Sequence, residues 1–504
     1  MTTAVVIGGG VAGLATAALL GRAGLEVTLI EKNDLLGGRV GMHDQDGFHF
    51  DTGPSWYLMP DAFDRFFAQL GTSTEEHLDL VPLSPAYRVF SEGFAPVDVE
   101  SGIENVEKLF AQLEPGSAAT TRKYLASAQH TYDIALRRFL YTTFRTPAPF
   151  INREVLPQFG PLISLLARSL QSWVERDFSD RRIRQILQYP AVFLSSTPRR
   201  TPAMYHLLSA TDLVDQVRYP RGGFRKLVDA LTQLAVEQGV HIRTNTPALG
   251  ISTQPGPKGR TQVTGVRTPD GHIPADIVVS GADLHHTERD LLPKQLWSVR
   301  SWRRKDPGIS CIVACLGVQG ELPELVHHQL ILSADWERDF AAIAPTASGT
   351  AHDFSRSVYV CKNSATDPSV APEGCSNIFI LIPVQADEHF GSGGSPQVET
   401  IVDAVISLIE ERTGAALADN IMVRHTLGPT DFHREYHAWR GNAIGLAHTL
   451  WQSAFLRGRN ASKKVDGLYF AGATTVPGVG LPMCLISAEN VVTRLKEEGK
   501  LRRD

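Results

Sequence analysis

Ala4-Val-Val-Ile-Gly-Gly-Gly-Val-Ala-Gly13, then Leu14-Ala-Thr-Ala-Ala-Leu-Leu-Gly-Arg-Ala-Gly24, then Glu26-Val-Thr-Leu-Ile-Glu31 is the stretch that decides the fold. An apolar strand runs from Ala4 into a glycine turn reaching Gly13, an Ala/Leu-rich helix follows over Leu14 to Gly24 with a glycine stop, and a second strand spans Glu26 to Ile30. That order is the β-α-β unit of a doubly wound sheet. The spacing Gly8-x-Gly10-x-x-Gly13 supplies a tight turn, close approach of backbone to a pyrophosphate, and a helix packed hard on its strand, and a Cβ would obstruct each. Ala12 sits inside the same turn, and phosphate oxygens there would face the positive end of the helix. Glu31 closes the second strand 18 residues after Gly13, followed by Lys32, where a carboxylate accepts hydrogen bonds from an adenosine ribose. A carboxylate also repels a 2′-phosphate, which leaves FAD or NAD and disfavours NADP.

Working outward, Gly37-Gly38-Arg39 follows Glu31, and Asp51-Thr-Gly53-Pro54-Ser55 comes next. This pairing resembles the family of FAD-dependent amine oxidases and carotenoid desaturases. In that family the segment matching Gly38-Arg39 lies along the dinucleotide with the arginine near the pyrophosphate, whose oxygens suit a guanidinium fork. The resemblance implies FAD as the cofactor and adds Gly53, Pro54, Ser55 and Ala248 to the residues expected around it. Near the other terminus, Val465-Asp-Gly-Leu-Tyr-Phe-Ala-Gly472-Ala473-Thr-Thr-Val-Pro-Gly-Val-Gly480-Leu481-Pro482 reads as a strand entering a Gly/Pro turn, with a helix from about Leu485 to Glu497. Amine oxidases carry an acidic residue after the strand-ending glycine, and here Ala473 stands instead. The pattern is similar to that of bacterial-type carotenoid desaturases such as the phytoene desaturases, and it places Gly472, Ala473, Gly480 and Leu481 at the cofactor too. Tyr219-Pro-Arg-Gly-Gly-Phe224, Ser280-Gly-Ala-Asp283, His327-His328, Arg440-Gly-Asn-Ala-Ile-Gly-Leu446 and Gln452-Ser-Ala-Phe455 occur in the order of that branch. Val476 and Met483 depart from it, replacing a frequent histidine and a frequent glycine, and this leaves the exact substrate and number of steps open.

The fold class that follows is α/β, a Rossmann-like FAD-binding domain beside a mixed-sheet and helical substrate domain. The resemblance implies a discontinuous FAD domain over 1–75, 220–300 and 425–504, with the substrate domain over 76–219 and 301–424. It further implies desaturation of a carotenoid precursor, foremost phytoene toward lycopene, with hydride transfer to flavin N5 and loss of a proton. The cofactor supplies that chemistry, so the chain has to hold a long hydrocarbon and exclude water. No catalytic side chain is assigned, because an allylic cation is acidic enough to need no strong base. Diapophytoene or hydroxycarotenoid desaturation, retinol saturation, and a flavin-independent prenyl-lipid binding protein remain as alternatives. The intact Gly8, Gly10, Gly13, Glu31 and Arg39 argue against the last.

The bulk numbers agree with a large globular protein. Hydrophobic residues make up 43% of the 504 and charged residues 20%, and 49 basic against 54 acidic side chains give a net charge of -5. Without a cationic field, nucleic acid is not an expected partner. Cys311, Cys315, Cys361, Cys375 and Cys484 are scattered and odd in number, which fits a reducing cytoplasm rather than a disulfide framework. Cys311 and Cys315 share one face of a strand and read as core residues, and no metal is expected. His327-His328 reads as a pair of core or loop histidines rather than a catalytic dyad.

From Ile103 to Arg184 the pattern is mainly helical, and strands return at Val240 to Thr244, Ile277 to Gly281 and Ile309 to Val318. Gln254 to Arg260 and Gly391 to Pro396 read as surface loops. No uncharged apolar run reaches the roughly 20 residues of a spanning helix. A polyene must still be drawn from a bilayer, so peripheral association through 139–175 is expected. Phe139 to Phe150 and the apolar helix Leu156 to Trp173, with Arg168 as its one charge, are the candidates; lining a substrate tunnel is the equal alternative for that helix. Trp297 to Lys305 reads as a solvated basic loop. The electron acceptor, oxygen or a quinone, stays open.

Overall fold

The computed structural model describes residues 1–145, 159–256, 259–299, 301–344 and 353–502, without the side chains of residues 159, 161, 162 and 455. Residues 146–150 of the aromatic-proline stretch, and the start of the expected helix at 156, lie outside them.

The opening unit forms a strand at Thr3–Ile7, a helix at Val11–Arg22 and a strand at Glu26–Ile30. The helix starts one turn before Leu14. Gly10 is its N-cap, and Gly13 lies inside its first turn, where a Cβ would stand 1.9 Å from the Gly8 carbonyl oxygen. The helix can therefore rest almost on the strand. Leu14, Ala15, Ala17, Ala18 and Leu20 are all fully buried, since the sheet covers one side and the helices Arg225–Glu237 and Leu481–Glu497 cover the others. The five strands are parallel, in the order Leu468–Phe470, Ile277–Ser280, Thr3–Ile7, Glu26–Ile30, His241–Arg243. Segments from both ends of the chain thus build one sheet.

A seven-stranded sheet forms the second layer: Ile421–Leu427, Ile309–Gln319, Cys375–Gln385, Val358–Cys361, His328–Leu332, Tyr87–Ser91, Val97–Val99. Its strand at 421–427 crosses the expected domain limit at 425, because it pairs with Ile309–Gln319. One face packs on the helix Pro396–Thr413 and the other on the helical segment after Ile103. Cys311 and Cys315 are buried, unpaired and on the helical side.

One expectation changes. The helix expected over Leu156 to Trp173 is two helices, Phe159–Ala167 and Leu170–Asp177, parted at Arg168 where the Ser169 hydroxyl caps the second by accepting from Ser172 N at 3.2 Å. The 391–396 turn lies at the surface, with Gly394 and Pro396 exposed, and is tethered where Asp431 accepts a hydrogen bond from Gly393 N at 2.7 Å.

Candidate functional site

Two glycine loops face each other at the carboxyl end of the parallel sheet. Gly8 adopts φ +98° and Gly38 φ +57°, and a Cβ on Gly38 would lie 3.2 Å from the Gly10 Cα. Gly37 N donates to Gly9 O at 2.9 Å, locking the loops together. Glu31 is buried and binds the turn from below: Oε2 accepts from Gly9 N at 2.7 Å and Oε1 from Asn33 N at 2.9 Å. A Cβ added to Gly10, by contrast, would meet no protein atom closer than 3.8 Å. That is a cradle open on the side where Gly10 faces.

The C-terminal segment closes over it. Gly472, at φ +110°, would bring a Cβ to 3.5 Å from Ala12 Cβ. The last helix begins at Leu481, a turn before Leu485, with Gly480 as N-cap and Pro482 in its first turn. Arg39 lies between the glycine loops and this helix: its Nη2 donates to the Asn442 carbonyl at 3.3 Å and to Asn442 Oδ1 at 3.1 Å, while its Nε is buried without a partner. Its charge reaches the Cys484 thiol, which burial nonetheless pushes up to about 11. The N-terminus of the first helix and a guanidinium with a spare donor lie together at the glycine loops, the arrangement an anionic diphosphate fills.

Gly53 approaches so closely that a Cβ would lie 2.0 Å from the Arg39 carbonyl, and Pro54 and Ser55 follow it toward the seven-stranded sheet. Ala248 is half-buried against the cluster holding Ile7 and Ile30, two residues after Thr246, whose N–H donates to Glu31 O at 2.7 Å. Lys32 points elsewhere than the cradle: its Nζ donates to Arg434 O at 3.0 Å. Its side chain is drawn to that carbonyl at the rim.

Sequence reasoning left Asp51 and Asn442 without roles. Asp51 is buried and accepts from Phe224 N at 3.0 Å, capping the helix that starts at Arg225 and joining 51–55 to it. Burial raises its carboxyl to about 7 against the lowering effect of the Phe224 and Arg225 N–H groups. The folded protein then holds a proton that the unfolded chain, titrating near 4, has released, so stability falls as pH rises from about 4 to 7. Asp51→Asn removes this term. Its stability relative to the parent should grow with pH by up to about 4 kcal/mol across that window. Urea melts of the holoprotein at several pH values check this; a pH-independent difference would contradict it.

Trp56 stacks on His328 with centroids 4.7 Å apart, and His327 meets Tyr219 at 4.7 Å. His328 Nδ1 lies 2.7 Å from the Tyr359 hydroxyl, His327 Nδ1 lies 2.7 Å from Thr366 Oγ1, and the Cys361 thiol donates to Asn363 Oδ1 at 2.7 Å. Donor atoms of His327, His328 and Cys361 lie within 4.8 Å of one another, but burial pushes the thiol up and holds both imidazoles neutral, His327 at about 3. The group is a hydrogen-bonded, uncharged cluster beside the 51–56 loop.

The parallel sheet, double glycine loop and buried carboxylate holding the glycine turn define a dinucleotide-dependent oxidoreductase class. Residues 11–496 match the flavin containing amine oxidoreductase family. Relatives include a carotenoid 3,4-desaturase from Haloarcula japonica, 38% identical with 98% of each chain covered, and a phytoene desaturase from Neurospora crassa, 31% identical over 98% of this chain and 85% of that one. A 4,4'-diapophytoene desaturase from Staphylococcus aureus is 28% identical over 97% and 98%. Among solved structures, an oxidoreductase from Methanosarcina mazei aligns with TM-score 0.62 at 16% identity, covering 98% and 100%, and cyclohexylamine oxidase from Brevibacterium oxydans aligns with TM-score 0.59 at 14% identity, covering 99% of each. The chain belongs to the flavin-containing amine oxidoreductase family, within its carotenoid desaturase branch, and is an FAD-dependent oxidoreductase.

The residues fit FAD. The open space at Gly10, the spare Arg39 Nε and the Glu31 carboxylate are the features that pyrophosphate and ribose require. Bound there, the flavin would supply two-electron redox chemistry. The residues placed to hold it would be Gly8–Gly13, Glu31 and Arg39 at the cofactor's polar half, with Gly472–Leu481 over its other half.

Proposed function

We propose that this protein desaturates a carotenoid precursor, foremost phytoene toward lycopene, by hydride transfer to FAD and release of a proton. The observation that carries the reading is the apolar packing of Met59, Tyr132, Leu136, Leu140 and Leu207 with Met483, which lies in the first turn of the helix that follows Gly480. Apolar surroundings beside that turn suit a hydrocarbon and not a charged amine. Ala473, standing where amine oxidases carry an acidic residue, agrees.

Expression in cells that accumulate phytoene tests it. Coloured, conjugated product is expected; unchanged phytoene with flavin bound to the protein overturns it. A second reading is favoured by the 38% identity to a carotenoid 3,4-desaturase, namely action on an already conjugated or hydroxylated carotenoid. The same assay with such a carotenoid as precursor separates the two.

The protein would work on the cytoplasmic face of a membrane as a peripheral enzyme, passing electrons to oxygen or a quinone. Among the described residues no helix is long and apolar enough to cross a membrane. Support for docking comes from Ile163, Leu450, Trp451 and Leu456, all exposed, Trp451 at 75%. Trp302 is buried against His285 and Trp439, so that basic loop offers lipid its cations but not its indole.

A further inference from the structure

Arg457 is 3% exposed, in the interior between the 445–458 segment and the 472–480 segment. Its guanidinium donates only to backbone carbonyls: Nε to Thr475 at 3.0 Å, Nη1 to Gln452 at 3.2 Å, and Nη2 to Leu446 at 3.1 Å and Ala473 at 2.6 Å. Among the described residues no carboxylate pairs with it. The titratable groups that feel its charge are Tyr205, His448 and Lys305. The Tyr205 hydroxyl is bonded to Ser453 Oγ at 3.0 Å. Burial and the Arg457 charge together hold His448 neutral, and the same charge helps push the Lys305 ammonium down. The field around Arg457 is thus positive and uncompensated, even though burial lowers its own pKa to about 10. Burying an ion costs several kcal/mol, and carbonyl dipoles offset that cost without neutralising the charge. Such a charge attracts an anion strongly in this low-dielectric interior.

We propose that Arg457 is a positioning residue whose fixed positive charge sets the redox potential of the bound flavin, by stabilising the negative charge the ring gains on reduction. The proposal rests on the placement of the flavin against Gly472–Gly480. Two of the four carbonyls held by Arg457, those of Ala473 and Thr475, belong to that segment, and the packing of Gly445 against Ala473 and Val479 keeps the two segments in register. The electron balance explains the need. A hydride brings two electrons and one proton to the flavin, the substrate's second hydrogen leaves to the medium as a proton, and the reduced ring keeps one negative charge until oxygen or a quinone takes the electrons.

The test uses FAD-loaded protein, reading the midpoint potential against reference dyes and the affinity for sulfite, whose flavin adduct is stabilised by the same positive charge. Arg457→Gln should retain FAD, bind sulfite at least tenfold more weakly and show a more negative potential. Arg457→Lys, which keeps charge but not the fork, should fall between it and the parent. Unchanged values in the Gln variant, or equal losses in both, overturn the proposal. Should the Gln variant not fold, the parent still decides: a bound-FAD potential at or below that of free FAD overturns it. The half-exposed Ala473 separates the two failures. Ala473→Leu leaving FAD affinity and visible spectrum unchanged overturns the placement itself, whereas a shifted spectrum there with unresponsive Arg457 variants overturns the charge role alone.

Discussion

Gly10→Ala protein is expected to fold and melt like the parent but to purify without yellow colour, whereas Gly13→Ala should lose both flavin and stability. The backbone at Gly10 has φ −74°, open to any residue, and an added Cβ meets nothing in the protein nearer than 3.8 Å. Its cost to folding should stay within about 0.5 kcal/mol. The space it takes is where pyrophosphate would approach the backbone, so FAD affinity should fall at least about tenfold, roughly 1.4 kcal/mol. At Gly13 the Cβ would overlap the Gly8 carbonyl oxygen at 1.9 Å, and backbone cannot yield as a side chain does. Separating helix from strand should cost about 3 kcal/mol or more. The ratio of flavin to protein absorbance, with thermal melts of the apoproteins, reads both effects. Full flavin content in Gly10→Ala would remove the pyrophosphate from this cradle.

The parts of the site legible in the sequence are those where backbone geometry dictates residue type. Gly8, Gly10 and Gly13 could be read because a close approach admits only glycine, and Glu31 because strand length fixes its distance from the turn. Helix starts were read late at both ends of the chain, at Leu14 for Val11 and at Leu485 for Leu481, since glycine and proline look like turn although they sit at the N-cap and first turn. Roles that depend on distant partners left no local signal. Asp51 meets Phe224 across 173 residues, and Arg39 meets Asn442 across 403. Arg457 shows why: its bonds are to carbonyls, which every residue has, so no side-chain motif marks it. The pairing that carries the strand at 421–427 into the larger sheet was hidden for the same reason.

Glu31 offers the other large effect, because its carboxylate serves fold and cofactor at once. With Oε2 on Gly9 N and Oε1 on Asn33 N, it already holds the glycine turn in the shape that admits a phosphate. Its remaining lone pairs are available to ribose hydroxyls. Glu31→Gln keeps the size and one acceptor oxygen but turns the other into a donor facing a backbone N–H, and a buried donor left without an acceptor costs about 1–3 kcal/mol. FAD affinity should weaken about tenfold in that variant. Glu31→Arg removes both acceptors and sets a cation among buried donors and beside the positive helix terminus, so a loss of roughly two orders of magnitude or more is expected. Fluorescence titration of the apoproteins with FAD measures both. The order matters as much as the size: a Gln variant weaker than the Arg variant would mean that acceptor geometry does not govern the ribose end of the site.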